Sequence, residues 1–385
     1  MSDIVIIGGG ITGAAAALSL AEEGWKVTLI ERRGIAAMAS GLTLGGVRQS
    51  GRHSAELPLA RAAVAIWPTL RERLGQDVEY RRLGNLRLAR DENEVETIRD
   101  MVEEQRSLGL ELAFLPSTGA VRDVAPAISE HVLAASFCPS DGHANPVKAT
   151  RAFAGAAKAR GALVREGVEA RSIIVEHGRV AGLDTSQGFV PADVAVVAAG
   201  VHAPGLLAPL GLHLPLTVML VQVLQTETLP PLLDQVLGVA NADCAGRQEA
   251  DGRLRVTSGL GAVPAEAGGW TEEALRPGAG DIARLRQRVG QILPKLAEAP
   301  LYRAWGGLID LTPDALPVID APQAISGLVV AAGFSGHGFC LGPVSGEIIA
   351  DLALGRPPRH DIGALRLARF EAQKGLAPAV PSLHG

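Results

Sequence analysis

The sequence predicts an α/β fold in which a discontinuous Rossmann-like nucleotide-binding domain carries an inserted antiparallel-sheet α+β domain. Three observations predict it. A β-branched run at residues 4–7 leads through a glycine-rich turn into a helical segment and a second strand. Two further apolar runs, at residues 194–200 and 328–332, are typical of strands buried on both faces of a parallel sheet. The β-rich stretches between these runs need a second sheet.

Along the chain, the first unit comprises a strand at 4–7, a helix at 14–23 and a strand at 25–30. Asn145 is a plausible N-cap with Pro146 at the first helical position, so a helix is expected at 145–160. Further helices are predicted at 54–74, 91–108, 281–293 and 344–354, and further strands at 163–165, 172–175, 216–226 and 253–258. The tail after Phe370 is expected to be poorly ordered.

These elements divide into two predicted domains and a tail. The nucleotide-binding domain comprises residues 1–75, 141–212 and 321–372, the substrate domain residues 76–140 and 213–320, and the tail residues 373–385. A chain of 385 residues is long for one core, which agrees with this division.

Composition and charge exclude several classes of protein. A hydrophobic content of 47% with 20% charged residues excludes a disordered chain. A net charge of −5 without a Lys/Arg cluster disfavours nucleic acid and anionic membrane as partners. The cysteines Cys138, Cys244 and Cys340 are too widely spaced for a disulfide framework or a metal pair, and no metal site is predicted. No apolar run approaches the roughly 20 residues of a membrane span, and no signal peptide is recognisable, so we expect a cytoplasmic protein.

The first turn carries the spacing GxGxxG at Gly8, Gly10 and Gly13. Gly8 allows the tight turn, Gly10 lets a pyrophosphate approach the backbone, and Gly13 lets the helix and strand pack closely. The helix N-terminus offers free amides to phosphate. Glu31 follows Gly8 by 23 residues, where an acidic residue binds the ribose hydroxyls. The turn therefore predicts dinucleotide binding, with a purely structural glycine turn as the alternative.

The glycine-rich segment 333–339 indicates which dinucleotide is bound. It contains three glycines, a serine and a histidine, and it precedes the last predicted helix. The positive end of that helix would face a group that becomes negative, and reduced flavin is such a group. No second GxGxxG is present for a nicotinamide cofactor. The sequence therefore predicts FAD.

With these motifs, the chain resembles the D-amino-acid-oxidase-like FAD-dependent oxidoreductases, which include glycine oxidase, sarcosine oxidase and the β subunits of opine oxidases and proline dehydrogenases. The matching segments are 4–13 with Glu31, 39–48, 197–200, 305–308 with 312–314, and 333–339. The resemblance implies oxidation of the C–N bond of an amine or N-substituted amino acid to an imine, which water hydrolyses. It also implies oxygen, a quinone or an acceptor protein as oxidant, and a homo- or hetero-oligomer.

The resemblance further implies a set of cofactor-binding residues. They are Gly8, Gly10, Ile11, Thr12, Gly13, Glu31, Arg32, Ser40, Gly45, Gly46, Val47, Ala170, Ala199, Gly200, Gly307, Leu308, Gly333, Ser335, Gly336, His337, Gly338 and Phe339.

Three departures from the family pattern bear on the substrate and the cofactor. Ile309 and Cys340 stand where family members carry an arginine and a lysine that hold the substrate carboxylate. Their loss favours an N-substituted or larger amine. The segment matching the covalent flavin cysteine, 308–312, contains no cysteine, so noncovalent FAD is expected.

Arg48 and His337 are the predicted catalytic residues. Arg48 matches an arginine that reaches from the flavin-binding loop into the active site, and its fork suits a carboxylate. Alternatively, it is a structural arginine beside Arg52. His337 either faces flavin or substrate, or braces the glycine loop. Arg255 and Tyr302 either line the pocket or have structural roles.

Two alternative functions remain open at this point. The chain could be the flavin-bearing subunit of a heteromeric dehydrogenase complex of the opine oxidase or proline dehydrogenase β type. It could also be a 2-hydroxyacid oxidoreductase on the same fold.

Overall fold

The computed structural model describes residues 3–263 and 270–373. Six strands form the first sheet, and the three predicted apolar runs lie side by side within it. Neighbouring strands are parallel except for the edge pair of Val318–Asp320 and Leu328–Ala332. In spatial order the strands are Val318–Asp320, Leu328–Ala332, Val194–Val197, Asp3–Ile7, Lys26–Glu31 and Leu163–Glu166. Val318–Asp320 precedes the predicted boundary at residue 321 but pairs within this sheet.

Small residues let two helices pack closely on this sheet. The helix Ile11–Glu22 is rich in alanine and buried over almost its whole length. A Cβ atom on Gly346, in the helix Gly338–Ala353, would lie 2.6 Å from the carbonyl carbon of Ala15, so only glycine permits this approach. The first and last helices therefore meet over the sheet and bring the two glycine-rich segments together.

A second sheet of nine strands contains the strands predicted at 216–226 and 253–258. Its strands are Asn85–Ala89, Ala113–Leu115, Ala134–Cys138, Thr217–Thr228, Val236–Val239, Cys244–Gln248, Arg253–Ser258, Gly261–Ala262 and Leu301–Leu311. The helices Thr118–Val124 and Ala279–Ile292 contribute to the core on one face of this sheet. The other face looks towards the first sheet and lines a cavity.

The remaining elements complete the fold. Two smaller sheets pair Ala170–Glu176, Arg179–Thr185 and Gly188–Pro191, and Gly46–Val47 with Gly142–His143. The other α-helices are Ala39–Leu42, Leu57–Ile66, Leu70–Leu74, Glu92–Ser107, Pro146–Ala159, Ala203–Leu207, Glu272–Leu275 and Lys295–Glu298. Short 3₁₀ helices cover Trp67–Thr69, Gly200–His202, Ala208–Leu210, Gly363–Leu365 and Leu367–Gln373. None of the helices in residues 3–263 and 270–373 has the length and apolar character needed to cross a bilayer.

Two predicted helices differ from those observed. The segment predicted as one helix at 54–74 contains two helices joined by the 3₁₀ turn Trp67–Thr69, because Pro68 has no N–H for a continuous helix. The last helix begins at Gly338 rather than at residue 344, so the glycine-rich segment itself forms the helix N-terminus. The predicted N-cap is confirmed, since Oδ1 of Asn145 accepts the N–H of Lys148 at 3.1 Å. Most of the tail, residues 374–385, lies outside the described residues.

Candidate active site

A cavity of about 710 Å³ lies between the two large sheets. One end is formed by the glycine-rich turn after the first strand and by residues 30–32, and the other by segment 336–339 and the second sheet. Eighteen of the predicted site residues line it: Gly8, Gly10, Ile11, Thr12, Glu31, Arg32, Ser40, Gly46, Arg48, Ala170, Ala199, Gly200, Gly307, Leu308, Gly336, His337, Gly338 and Phe339. The other five, Gly13, Gly45, Val47, Gly333 and Ser335, do not line the cavity and instead support its walls.

The first turn has the geometry that its glycines predict. Gly8 has φ +115°, and a Cβ atom there would lie 2.2 Å from the carbonyl oxygen of Ala198. A Cβ atom on Gly13 would lie 2.1 Å from the carbonyl oxygen of Gly8, so the helix and strand could not pack as they do. The N–H of Ile11, at the helix N-terminus, donates to Oγ of Ser40 at 2.9 Å. This end of the helix offers hydrogen-bond donors and a positive dipole to an anion.

Glu31 is held in place at the end of the second strand. Its carboxylate accepts the N–H of Gly9 at 2.7 Å and the N–H of Arg33 at 2.8 Å. A carboxylate has about four lone-pair sites, so it can still accept hydroxyl groups from the cavity. Nearby, Arg32 donates to Nε2 of His202 at 2.6 Å, and burial together with Arg32 lowers the pKa of His202 to about 4. The neutral ring can therefore accept this hydrogen bond.

The cavity wall at residues 42–44 is fastened by three side chains of the second sheet. Nε1 of Trp305 donates to the carbonyl of Leu42 at 3.1 Å, and Arg255 donates to that of Thr43 at 2.7 Å. Arg247 donates to the carbonyl of Leu44. These contacts hold the segment that leads to Arg48.

The contacts of Arg255 and Tyr302 favour the structural alternative for both residues. Glu249 forms ion pairs with Arg255 at 3.0 Å and Arg247 at 3.3 Å, which balances their buried charges. Arg255 is occupied by Glu249 and the Thr43 carbonyl, and Tyr302 is 54% exposed. Arg247 was not predictable from the sequence, because its contact with Leu44 spans 203 residues.

Arg48 reaches the cavity with few partners of its own. Its Nη1 donates to the carbonyl of Ser50 at 3.2 Å, and its own carbonyl accepts the thiol of Cys340 at 3.4 Å. Burial and the charges of Arg52 and Arg87 lower the pKa of Arg48. Cys340 is fully buried, and burial raises its thiol pKa to about 12, so it is a positioning group rather than a nucleophile.

His337 is oriented by Glu56, a residue that no sequence motif indicated. Nδ1 of His337 lies 2.9 Å from Oε2 of Glu56, and both side chains are buried. Burial alone would raise the pKa of Glu56, but His337 and Arg52 hold it at about 2. An ionised carboxylate only accepts, so Nδ1 carries the proton and Nε2 keeps a lone pair. Among the residues that the structure describes, this buried Nε2 has no hydrogen-bond partner.

The segment 333–339 is fastened to the strand Leu301–Leu311 and the turn after it. Asp310 accepts the N–H of Gly333 at 2.7 Å, and burial raises the pKa of Asp310 to about 6. Ser335 adopts φ +51°, and its Oγ accepts the N–H of Thr312 at 3.2 Å. A Cβ atom on Gly338 would lie 3.0 Å from Cβ of Phe334, so a larger residue at position 338 would crowd Phe334 even without a cofactor.

The residues present fit FAD. Two helix N-termini, at Ile11 and Gly338, point glycine-rich backbone at one cavity, and a carboxylate stands at the end of the second strand. Cβ atoms on Gly8 or Gly13 would collide with backbone, so this close-packed turn requires glycine. No group of three or more His, Cys, Asp or Glu side chains within the described part of the chain could hold a metal ion.

Comparisons with known proteins agree with this geometry. The family model described as FAD dependent oxidoreductase matches residues 3–352. The chain is 28% identical over 384 residues to glycine oxidase of Geobacillus kaustophilus, covering 97% of this chain and 98% of that one. It is 25% identical over 394 residues to sarcosine oxidase subunit beta of Rhizobium meliloti, with 99% and 92% covered.

Solved structures of related oxidoreductases also match this chain over nearly its whole length. The crystal structure of glycine oxidase from Geobacillus kaustophilus matches with a TM-score of 0.88 at 27% identity, covering 96% of this chain and 99% of that one. L-proline dehydrogenase from P. horikoshii matches with a TM-score of 0.87 at 28% identity, covering 97% and 98%. These similarities confirm the predicted fold class.

Proposed function

The chain belongs to the FAD-dependent oxidoreductase family, and on this premise we propose that it oxidises the C–N bond of an amine whose carboxylate is held by Arg48. The observation that carries the proposal is the pairing of two groups at one end of the cavity. These are a guanidinium without an ion-pair partner in the described residues, at Arg48, and a hydrogen-bond acceptor without a donor, at Nε2 of His337.

The cofactor would lie along the glycine-rich walls of the cavity. The free amides at the start of the helix Ile11–Glu22 would bind its pyrophosphate, and Glu31 its ribose hydroxyls. The start of the helix Gly338–Ala353 would place its positive end near the flavin. The chemistry that bound FAD would supply is the acceptance of a hydride, that is two electrons and one proton, from the carbon next to the amine nitrogen.

Arg48 is suited to hold a carboxylate by its shape and by the rigidity of its segment. Its planar fork can donate two parallel hydrogen bonds, which fixes orientation better than a point charge. The other positions at which family members anchor this carboxylate are Ile309 and Cys340, and neither side chain can hold an anion. The thiol of Cys340 instead holds the backbone of Arg48. Orientation of the reacting C–H bond is a large part of the rate of such a reaction.

His337 would accept a hydrogen bond from the substrate amine. The Glu56 carboxylate keeps the proton on Nδ1 and leaves a lone pair on Nε2, a buried atom with no hydrogen-bond partner among the described residues. Burial and Arg52 lower the pKa of His337 to about 4, so the ring does not retain a proton at neutral pH. His337 would therefore orient the amine as an acceptor rather than store its proton. The apolar residues Val221, Val223 and Val236 also line the cavity.

The test is anaerobic reduction of the bound flavin by a panel of D-, L- and N-substituted amino acids, the matching amines without a carboxylate, and 2-hydroxy acids. We expect bleaching by carboxylated amines and much slower bleaching by the amines that lack the carboxylate. Bleaching by hydroxy acids alone would favour the 2-hydroxyacid alternative. Bound flavin that no amine reduces would favour a subunit of a heteromeric complex.

Several sequence predictions stay predictions. These are the domain boundaries, the cytoplasmic location, the identity of the electron acceptor and the oligomeric state. The same panel, repeated with oxygen and then with a quinone as acceptor, separates an oxidase from a dehydrogenase.

A further inference from the structure

The strand Asn85–Ala89 directs polar side chains into the cavity. Its residues alternate, so Leu86 and Leu88 enter the hydrophobic core while Asn85 and Arg87 line the cavity. The alternation NLRLA shows this period of two in the sequence, but only the sheet brings the strand next to the Arg48 segment. A Cβ atom on Gly51 would lie 2.8 Å from Nη1 of Arg87 and 3.2 Å from Nη1 of Arg48, so the two guanidinium groups lie side by side.

Arg87 has no carboxylate partner among the described residues. Its one side-chain hydrogen bond there runs from Nη1 to Sδ of Met101 at 3.3 Å. The amide of Asn85, on the same face of the strand, makes no hydrogen bond within the described ranges, although Asn85 is buried. A buried cation without a counter-charge is costly, and proteins keep such groups where a ligand supplies the opposite charge.

The nearby carboxylates are already used. Glu56 forms the ion pair with Arg52 at 3.5 Å and the hydrogen bond with His337. Asp141 accepts the N–H groups of Gln49 and Ser50 and the hydroxyl of Ser50. Neither carboxylate forms an ion pair with Arg48 or Arg87, so these two neighbouring guanidinium groups have no carboxylate partner among the described residues.

The cavity has room beside Arg87. Gly238 lies opposite Arg87 on the neighbouring parallel strand Val236–Val239 and lines the cavity. A Cβ atom on Gly238 would meet no atom within 4 Å, and its φ is not in the left-handed region. The space next to the guanidinium is therefore open to a ligand.

We propose that Arg87, together with Asn85, binds a second carboxylate of the substrate, so that the enzyme oxidises an amino dicarboxylate. This proposal rests on the proposed function, in which Arg48 holds the first carboxylate. Two carboxylates balance the two unpaired guanidinium groups, whereas a single carboxylate leaves one positive charge uncompensated. An amino acid with an acidic side chain and a secondary amine with a carboxylate on each substituent share this chemistry, and the experiment separates them.

Binding is measured first, because it does not depend on turnover. Isothermal titration of the FAD-loaded protein compares succinate and glutarate with propionate and butyrate. We expect dicarboxylates to bind roughly 10- to 100-fold more tightly, the scale of one charge-assisted hydrogen-bonded pair. Arg87→Met should abolish this preference, and Gly238→Val should weaken dicarboxylate binding while the charge remains. Arg82→Met, the same substitution at an exposed arginine, should leave the preference unchanged.

Flavin reduction then identifies the source of the second carboxylate. D- and L-glutamate are compared with glutamine, and N-carboxymethylglycine with N-methylglycine. For whichever of these dicarboxylates reduces the flavin faster than its monocarboxylate partner, Arg87→Met should lower kcat/KM roughly 10- to 100-fold. The same substitution should change kcat/KM for the monocarboxylate less than about threefold. Equal binding of mono- and dicarboxylates by the unsubstituted protein would overturn the proposal. An equal loss for both classes in Arg87→Met would also overturn it, because Arg87 would then serve the first carboxylate or the flavin.

The two proposals fail in different ways. Suppose that no amine reduces the flavin but that dicarboxylates bind more tightly than monocarboxylates through Arg87. Then the inference that Arg87 binds a second carboxylate stands, and amine oxidation is wrong. If amines reduce the flavin without any preference for a second carboxylate, amine oxidation stands and this inference is wrong.

Discussion

Replacement of Arg87 by methionine should stabilise the substrate-free protein. The half-buried guanidinium lies beside Arg52 without a carboxylate partner among the described residues, and desolvation together with Arg52 lowers its pKa from 12.5 to about 10. At 1.36 kcal/mol for each pKa unit, the charge costs the folded state about 3 kcal/mol. Because the side chain is partly open to the cavity, and because methionine removes some packing, we expect a net gain of about 1–2 kcal/mol.

The direction of the effect follows from the protonation states. Arg87 is charged in both the folded and the unfolded chain at neutral pH, so the full cost is present there. The cost would disappear only as the pH rises through the lowered pKa of about 10. Urea denaturation of the FAD-loaded protein at pH 7.5, without a carboxylate ligand, measures the gain. In saturating dicarboxylate the order of stability should reverse, because only the unsubstituted protein gains the binding energy.

Arg90→Met is the matched control for this prediction. Arg90 follows the same strand but forms ion pairs with Glu94 at 2.5 Å and Asp243 at 3.2 Å, and the hydrogen bond that it donates to Glu94 raises the pKa of Arg90. Its replacement should destabilise the protein, because two carboxylates lose their partner. If Arg87→Met destabilised the ligand-free protein by more than about 1 kcal/mol, Arg87 would be a structural residue and the argument from its unpaired charge would fail.

Four further predictions test the site. Arg48→Ala should lower kcat/KM for the preferred carboxylated amine by about 30- to several-thousand-fold in stopped-flow flavin reduction, with little recovery in Arg48→Lys; a loss below threefold with FAD retained would place the carboxylate elsewhere. Glu56→Gln should cost about 3–5 kcal/mol in urea denaturation because it leaves Arg52 buried without a counter-charge, and a cost below 1 kcal/mol would argue against the pair. Burial and Arg247 lower the pKa of His143 to about 2, so wild-type stability is lost as the pH falls through the unfolded value near 6.5; His143→Gln should flatten this loss by about 2 kcal/mol between pH 7.5 and pH 5, and parallel curves would contradict the assignment. Acid precipitation should leave the flavin in the supernatant because residues 308–312 contain no cysteine, whereas a yellow pellet would show covalent attachment.

Local features of the chain were predictable because their causes lie within a few residues. Gly8 adopts a positive φ, and Gly13 allows a close contact between helix and strand. Only glycine meets both requirements without strain, so its presence at these positions predicts the turn. The N-cap at Asn145 and the buried strand Val194–Val197 were likewise predictable from neighbours along the chain. The start of the last helix was not, because segment 338–343 contains glycines and Pro343 that disfavour a helix locally.

The sequence by itself determined the fold class, the nucleotide-binding turn and the family, since short-range geometry and residue spacing specify them. Only the tertiary structure decided which charges meet in the cavity. His337 contacts Glu56 across 281 residues and Arg247 contacts Leu44 across 203, separations over which no spacing rule operates. Arg87 and Arg48 become neighbours because the nine-stranded sheet packs against the loop that carries Arg48. The electrostatic consequence, two neighbouring cations with no carboxylate partner in the described part of the chain, is a property of that packing and of no single segment.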